Sequence, residues 1–296
     1  MTEIFGIPTQ ALFGQLLIGL INGAFYAMLS LGLAVIFGLL NIINFTHGAQ
    51  YMMGAFCAWL LLEHWGVGYW WSLLLAPLVV GATGVVIERT MLSKLYKLDH
   101  LYGLLLTFGL ALIVQGLFTN YYGSSGQPYR LPEEFAGSFN LGFMFLPKYR
   151  AWVIVASLIV CLGTWFVIER TKLGAYLRAA TENPALVQAF GINVPRMITL
   201  TYGFGVGLAA LAGVMAAPIY QVSPQMGANL IIVVFAVVVI GGMGSIVGAI
   251  VAGFGLGVIE GLTRLLMPDA AGIVVFVVML LVLAFRPQGL FGREAL

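Results

Sequence analysis

The chain of 296 residues is strongly apolar: 61% of its residues are hydrophobic, and only 8% are Asp, Glu, Lys or Arg. An average soluble protein carries about 25% charged residues, so 13 basic and 11 acidic residues are too few to cover a soluble surface. Together with the mean hydropathy of +1.03, this excludes an ordinary soluble globular protein and predicts an integral membrane protein. The net charge of +2 and the scattered basic residues disfavour nucleic-acid binding.

Apolar runs predict the membrane spans, because a helix needs about 20 apolar residues to cross the hydrocarbon core. They lie at 11–40, 48–63, 70–92, 101–121, 151–169, 197–219, 228–241, 245–265 and 271–285. The first run is too long for one simple span and is either tilted or broken, whereas the second and seventh are short. We predict an all-α, polytopic integral membrane protein with about 8–9 transmembrane segments, one or two of them broken or re-entrant. Residues 1–296 then form a single transmembrane domain.

Two breaks between apolar runs carry no formal charge, at residues 41–48 (Asn-Ile-Ile-Asn-Phe-Thr-His-Gly) and 241–245 (Gly-Gly-Met-Gly-Ser). Non-helical backbone at membrane depth is tolerated only where protein or a water-filled cavity satisfies it, as in transporter sites. The breaks are therefore either parts of a translocation path or two ordinary tight turns at the membrane surface. A lone His47 without partner ligands predicts no metal site, and nothing in the sequence calls for a cofactor.

Lys and Arg in the loops predict the orientation, since basic residues resist translocation. Nine of them fall in one set of loops and four in the other. The larger set comprises Arg89, Lys94, Lys97, Arg170, Lys172, Arg178, Arg196, Arg286 and Arg293. We therefore place the loop at about 170–196 and the C-terminus in the cytoplasm, and the loop at about 122–150 outside the cell.

Small residues recur every four positions in two segments of the second half. The stripes are Gly205, Ala209, Gly213 and Ala217, and Ala249, Gly253, Gly257 and Gly261. Such stripes let helix backbones touch in lipid. We predict helix packing at the five glycines Gly205, Gly213, Gly253, Gly257 and Gly261, with direct contact to a solute as the alternative.

The positions of the ionisable residues near the spans help to distinguish an ion-coupled transporter from other classes of membrane protein. Glu260 precedes Arg264 by one helical turn, which predicts an ion pair at the outer end of its span. Glu63 and Glu88 fall at span ends, where we expect solvent to reach them. No carboxylate lies in mid-span, which disfavours an ion-coupled secondary transporter of small amphipathic solutes, the alternative function. A membrane protease with Ser245 as nucleophile is disfavoured because no histidine lies on a nearby span.

An ATPase is excluded within this chain, because no lysine follows a glycine as a Walker A motif requires.

The loop at about 170–196 predicts a short helix that could dock onto a partner. Thr181 or Asn183 can cap a short amphipathic helix, Pro184 suits its first turn, and Gly191 suits its end. This helix either docks into a groove of a soluble partner or lies flat on the lipid.

Several segments together resemble one known family. The cytoplasmic loop 178–192 resembles the coupling helix of bacterial ABC-importer permeases. The other segments are 22–33 (Asn-Gly-Ala-Phe-Tyr-Ala-Met-Leu-Ser-Leu-Gly-Leu), 44–48 (Asn-Phe-Thr-His-Gly), 53–55 (Met-Gly-Ala), 211–218 (Leu-Ala-Gly-Val-Met-Ala-Ala-Pro), 241–249 (Gly-Gly-Met-Gly-Ser-Ile-Val-Gly-Ala) and 286–292 (Arg-Pro-Gln-Gly-Leu-Phe-Gly). From about residue 11 to 292 the chain resembles the permease of the branched-chain (hydrophobic) amino-acid ABC transporter. It is most similar to the shorter of its two homologous permeases, with Thr46 where the family usually has Ala.

The resemblance implies a membrane-spanning permease subunit of an ATP-driven importer in the bacterial inner (plasma) membrane, without enzymatic activity of its own. Its implied cargo is branched-chain or related amino acids, delivered by an external solute-binding protein; amides, urea and small carboxylates are alternatives. It also implies a homologous second permease subunit and two cytoplasmic ATPase subunits. The expected contacts with the ATPase are Arg178, Glu182, Asn183, Ala189, Phe190 and Gly191. The expected polar residues of the substrate path are Asn41, Asn44, Thr46 and His47.

Overall fold

A computed structural model describes residues 3–4, 7–40, 44–96, 98–142 and 144–292. Its regular structure is mostly α-helical, which confirms the all-α class. The helices are α1 (Thr9–Leu40), α2 (Thr46–Trp65), α3 (Tyr69–Thr90), α4 (His100–Tyr122), α5 (Lys148–Arg170), α6 (Lys172–Glu182), α7 (Pro184–Ala189), α8 (Val194–Ala216), α9 (Met226–Gly241), α10 (Ile246–Leu266) and α11 (Val274–Phe285). Two antiparallel hairpins pair β1 (Glu3–Ile4) with β2 (Ile7–Pro8), and β3 (Ser138–Asn140) with β4 (Phe145–Pro147). Three-residue 3₁₀ turns occupy Leu92–Lys94, Glu133–Phe135 and Pro268–Ala270.

Length and composition suffice to identify six candidate membrane spans in the described chain. They are α1, α3 with its following 3₁₀ turn, α4, α5, α8 and α10. The apolar helices α9 and α11 are shorter. The first apolar run forms one uninterrupted helix of 32 residues, so it is not broken. The membrane character expected from the composition is therefore confirmed, with six spans identified by these criteria.

Helix α1 lies at the centre of the bundle and α4 at its edge. The most apolar window of α1 is 83% buried, whereas that of α4 is 11% buried. Helices α5, α8, α9 and α10 all pack against α1. Leu105, Leu112 and Ile113 of α4 are exposed, as suits a helix surrounded by lipid, where apolar side chains need no burial in protein.

The helices approach one another most closely at glycines. A Cβ atom on Gly257 of α10 would lie 2.3 Å from the carbonyl oxygen of Gly19 on α1, and one on Gly213 of α8 would lie 2.0 Å from that of Tyr51 on α2. Any side chain at these positions would force the backbones apart. The structure places all five glycines of the predicted packing stripes against the backbone or side chains of another helix: Gly205, Gly213, Gly253, Gly257 and Gly261.

The break at 241–245 is a tight turn between α9 and α10. Gly242 and Gly244 adopt positive φ angles of 102° and 82°, which a residue with a Cβ rarely adopts. The hydroxyl of Ser245 then accepts a hydrogen bond from the amide of Gly248 (3.1 Å) and caps α10. The C-terminal segment covers this turn, because the amide of Phe291 donates to the carbonyl of Gly241 (3.0 Å).

Candidate functional site

The second uncharged break leads into α2, whose first turns are enclosed by protein. Asn44, Thr46 and Gln50 are each at most 2% exposed. The side-chain amide of Asn44 donates to the side-chain oxygen of Gln50 (3.3 Å), and the hydroxyl of Thr46 donates to the side-chain oxygen of Asn44. The structure thus brings together the predicted path residues Asn44 and Thr46, but in a buried network that satisfies its own polar atoms. Asn41 lies outside the described residues.

His47, the remaining predicted path residue, closes the space between α1 and α2. It is fully buried, and its Nε2 lies 3.0 Å from the carbonyl oxygen of Leu29, an arrangement in which Nε2–H donates. Its Nδ1 has no hydrogen-bond partner among the described residues. The adjoining gap, which Tyr51 and Gly227 also line, has no room for a water molecule. The imidazole therefore lies at a closed point of the bundle.

A cavity of about 550 Å³ opens on the side of α1 nearer its N-terminus. We call it the Arg150 cavity. Residues of its wall come from α1, α2, α5, α9, α10 and the segment that joins α8 to α9. The wall includes Asn22, Phe25, Tyr26, Arg150, Tyr220, Asn229, Leu230, Glu260 and Arg264. No local sequence signal brings these residues together, because they come from separate segments of the chain.

Hydrogen bonds order the polar wall of the Arg150 cavity. Arg264 donates to one carboxylate oxygen of Glu260 (2.6 Å), as the helical spacing predicted, and Tyr26 donates to the other (2.7 Å). In the same cavity, the hydroxyl of Tyr220 donates to the side-chain oxygen of Asn22 (2.9 Å). Burial raises the pKa of the Tyr220 phenol, with Arg150 opposing that rise, so the phenol stays protonated and available as a donor at neutral pH.

A second cavity, of about 770 Å³, lies at the opposite end of α1. We call it the Arg178 cavity. Its wall includes Val35 and Gly38 of α1, Trp165 of α5, Arg178 of α6 and Ser245 at the start of α10. Leu29 and Ser30, both nearly or fully buried, lie on α1 between the two cavities. The bundle therefore has a cavity towards each end and closed packing between them.

Helices α6 and α7 occupy the loop for which a docking element was predicted, beside the Arg178 cavity. The side chain of Asn183 accepts a hydrogen bond from the amide of Leu186 (3.0 Å) and caps α7, Pro184 occupies its first turn, and Gly191 follows with φ of 83°. These local features confirm the cap and the ends that the sequence predicted. The side chain of Phe190 is 78% exposed.

The residues expected to contact an ATPase divide into two groups. One group is exposed to solvent: Glu182, Asn183, Ala189, Phe190 and Gly191. Arg178 instead turns back to α5, where it donates to the carbonyl of Ile168 (3.1 Å) and pairs with Glu169 (3.3 Å). Arg178 thus holds α6 against α5.

Glu88 was expected to be solvated, and this expectation is wrong. Its side chain is 2% exposed and accepts hydrogen bonds from the hydroxyls of Tyr96 (2.6 Å) and Thr199 (2.7 Å). Burial and the adjacent carboxylate both raise the pKa of the Tyr96 phenol, which therefore remains a donor. The carboxylate joins α3 to α8.

Comparisons with known proteins extend over nearly the whole chain. Residues 15–283 match the family model described as branched-chain amino acid transport system / permease component. The chain is 32% identical to the high-affinity branched-chain amino acid transport system permease protein BraD of Pseudomonas aeruginosa, covering 94% of this chain and 95% of the relative. It is 29% identical to LivH of Escherichia coli (99% and 98%) and 29% identical to LivM of the same species (90% and 67%), both of them permease proteins of that transport system. No solved structure matches. The chain therefore belongs to the family of branched-chain amino acid transport system permease components, as the sequence segments had indicated.

Proposed function

We propose that the chain is the membrane-spanning permease subunit of an ATP-driven importer for branched-chain or related amino acids. The observation that carries the proposal is the likeness to BraD and LivH along nearly the whole chain. The bundle also has the layout that transport requires, with the Arg150 and Arg178 cavities towards opposite ends and closed packing around His47. A carrier that alternates its access needs such a closed layer between two vestibules.

The proposed topology has nine crossings in a single domain formed by residues 1–296. The crossing helices are α1–α5 and α8–α11. Helix α2 begins at Thr46 with buried residues rather than at a solvated loop, which supports a start of this crossing inside the bundle. The excess of Lys and Arg in one set of loops supports a cytoplasmic position for residues 170–196 and the C-terminus in the bacterial inner membrane.

The proposed complex contains a homologous second permease, two cytoplasmic ATPase subunits and an external solute-binding protein. The likeness to both LivH and LivM of one organism supports a second, homologous permease. Helix α7 would transmit the nucleotide cycle through Glu182, Asn183, Ala189, Phe190 and Gly191, with Arg178 positioning α6. Asn44, Thr46 and His47 would line the path once the packing around them opens; the five glycines of the packing stripes keep their role in helix packing.

The decisive test compares two exposed phenylalanines at the same end of the bundle. In proteoliposomes that contain the full complex, Phe190→Ala should lower uptake of labelled leucine and stimulated ATP hydrolysis together, by about tenfold, as for an anchor residue of an interface. Phe285→Ala is the control, because Phe285 is 83% exposed and ends α11. Equal activity of the two variants would contradict the coupling role. Uptake that survives removal of the ATPases and collapses with an ion gradient would instead establish an ion-coupled carrier.

A further inference from the structure

The Arg150 cavity contains a cationic group without an anionic partner. Its charged wall residues are Arg150, Glu260 and Arg264. The Glu260 carboxylate is already engaged, with Arg264 on one oxygen and Tyr26 on the other. Arg150 is only partly exposed and forms no salt bridge with a described residue. A recessed guanidinium with free donors favours a carboxylate, which it can bind through two parallel hydrogen bonds.

Neutral polar groups and apolar groups line the same cavity as this cation, and an amino acid requires both. Asn22 and Tyr220 form one polar side, and their carbonyl and phenol oxygens can accept from an ammonium group. Phe25 and Leu230 provide apolar surface in the same cavity. The volume of about 550 Å³ falls within the roughly 300–1,000 Å³ usual for small-molecule sites.

The geometry points to the Arg150 cavity as the transient binding site of the amino acid, with Arg150 binding the α-carboxylate and the aliphatic side chain packing on Phe25 and Leu230. The inference rests on the proposed import function and adds to it the place and the chemistry of binding. The α-ammonium group faces the neutral oxygens of Asn22 and Tyr220.

A fixed charge in this position assists entry without blocking passage. The cation lies at one end of α5, and the residues at the closed layer around His47 and Ser30 are uncharged or neutral donors. An amino acid that leaves the cavity therefore gives up a single charged contact. Because Arg150 is not fully buried, water screens that contact and limits its strength.

The experiment measures amino-acid transport and the docking of the binding protein separately in the full reconstituted complex. Arg150→Gln removes the charge, Arg150→Lys keeps it, and Arg130→Gln is the matched control, because Arg130 is exposed in the loop before α5 and does not line the cavity. Labelled leucine is supplied on a saturating binding protein, and uptake, ATP hydrolysis and binding-protein affinity are recorded.

We expect Arg150→Gln to lower uptake by about tenfold or more, as the loss of a charge-assisted hydrogen bond predicts. Arg150→Lys should recover a substantial part of that uptake. Binding-protein affinity and its stimulation of ATP hydrolysis should stay at the level of Arg130→Gln. Unchanged uptake in Arg150→Gln overturns the inference. A joint loss of affinity and stimulation also overturns it, because Arg150 would then contact an acidic side chain of the binding protein.

Two checks keep the result decisive. Co-purification of the other subunits shows whether each variant assembles. Should Arg150→Gln fail to assemble, Asn229→Trp replaces it: this change fills the cavity from an exposed position of α9, and unchanged uptake in it contradicts the inference. If the wild-type complex transports no amino acid, the proposed function itself fails, whereas normal transport by the cavity variants refutes only the site.

Discussion

At the scale of single residues, the buried Glu88 carboxylate is the clearest case of a side chain whose partners determine its role. We expect Glu88→Ala to lower the free energy of unfolding by about 2–3 kcal/mol, because the hydroxyls of Tyr96 and Thr199 lose their charged acceptor inside the protein. Thermal denaturation of the purified chain in detergent measures the change. Glu63→Ala is the control, since Glu63 is exposed on α2; equal shifts in the two variants would refute the structural role.

The sequence predicted a residue's contacts where the partners are near each other in the chain. The pair Glu260–Arg264 follows from the spacing of one helical turn. The bond from Tyr26 to the same carboxylate spans 234 positions, and that from Thr199 to Glu88 spans 111. Such contacts depend on which helices become neighbours, and neither composition nor periodicity determines that. The Arg150 cavity could not be predicted from the sequence for the same reason.

At the scale of helices, the contact between α1 and α10 permits a matched pair of substitutions two residues apart. Gly257→Val should prevent close packing, since its Cβ alone would come within 2.3 Å of the Gly19 carbonyl. Gly255→Val should be tolerated, because a Cβ there meets no atom within 4 Å. The yield of monodisperse protein in size-exclusion chromatography should fall for the first variant only. A similar loss in both variants would show that valine affects the helix and not its contact.

Local signals predicted the ends of helices better than the direction of the side chains between them. Helix α7 begins at Asn183 and Pro184 and ends before Gly191, as expected, because caps and positive φ angles depend on neighbouring residues. Arg178 had no such signal. Its contact with α5 depends on Gly174, where a Cβ would lie 1.5 Å from the Ile168 carbonyl, so only glycine allows α6 to fold back this closely.

At the scale of the whole molecule, the two cavities and the closed layer between them give the bundle two distinct ends. The small-residue contacts that join α10 to α1 and α8 to α2 leave little room for bending within a helix pair. Opening the layer at His47 therefore requires one group of packed helices to move relative to another. Helix α6 is attached to α5, which reaches both cavities, so a force on α7 would act on the walls of both cavities.

The orientation of these ends can be measured by labelling single cysteines in intact cells. Cys57 and Cys161 are first replaced by alanine, and a cysteine is introduced at Ser125 or at Gln188, both exposed and at opposite ends of the bundle. A membrane-impermeant maleimide should label Ser125→Cys in intact cells, but Gln188→Cys only after permeabilisation, because the proposed topology places the basic loop 170–196 in the cytoplasm. The reverse pattern would invert the topology and place α7 where no ATPase could reach it. Labelling of both positions in intact cells would contradict this topology, because α5, the one proposed crossing between them, would not separate the two loops.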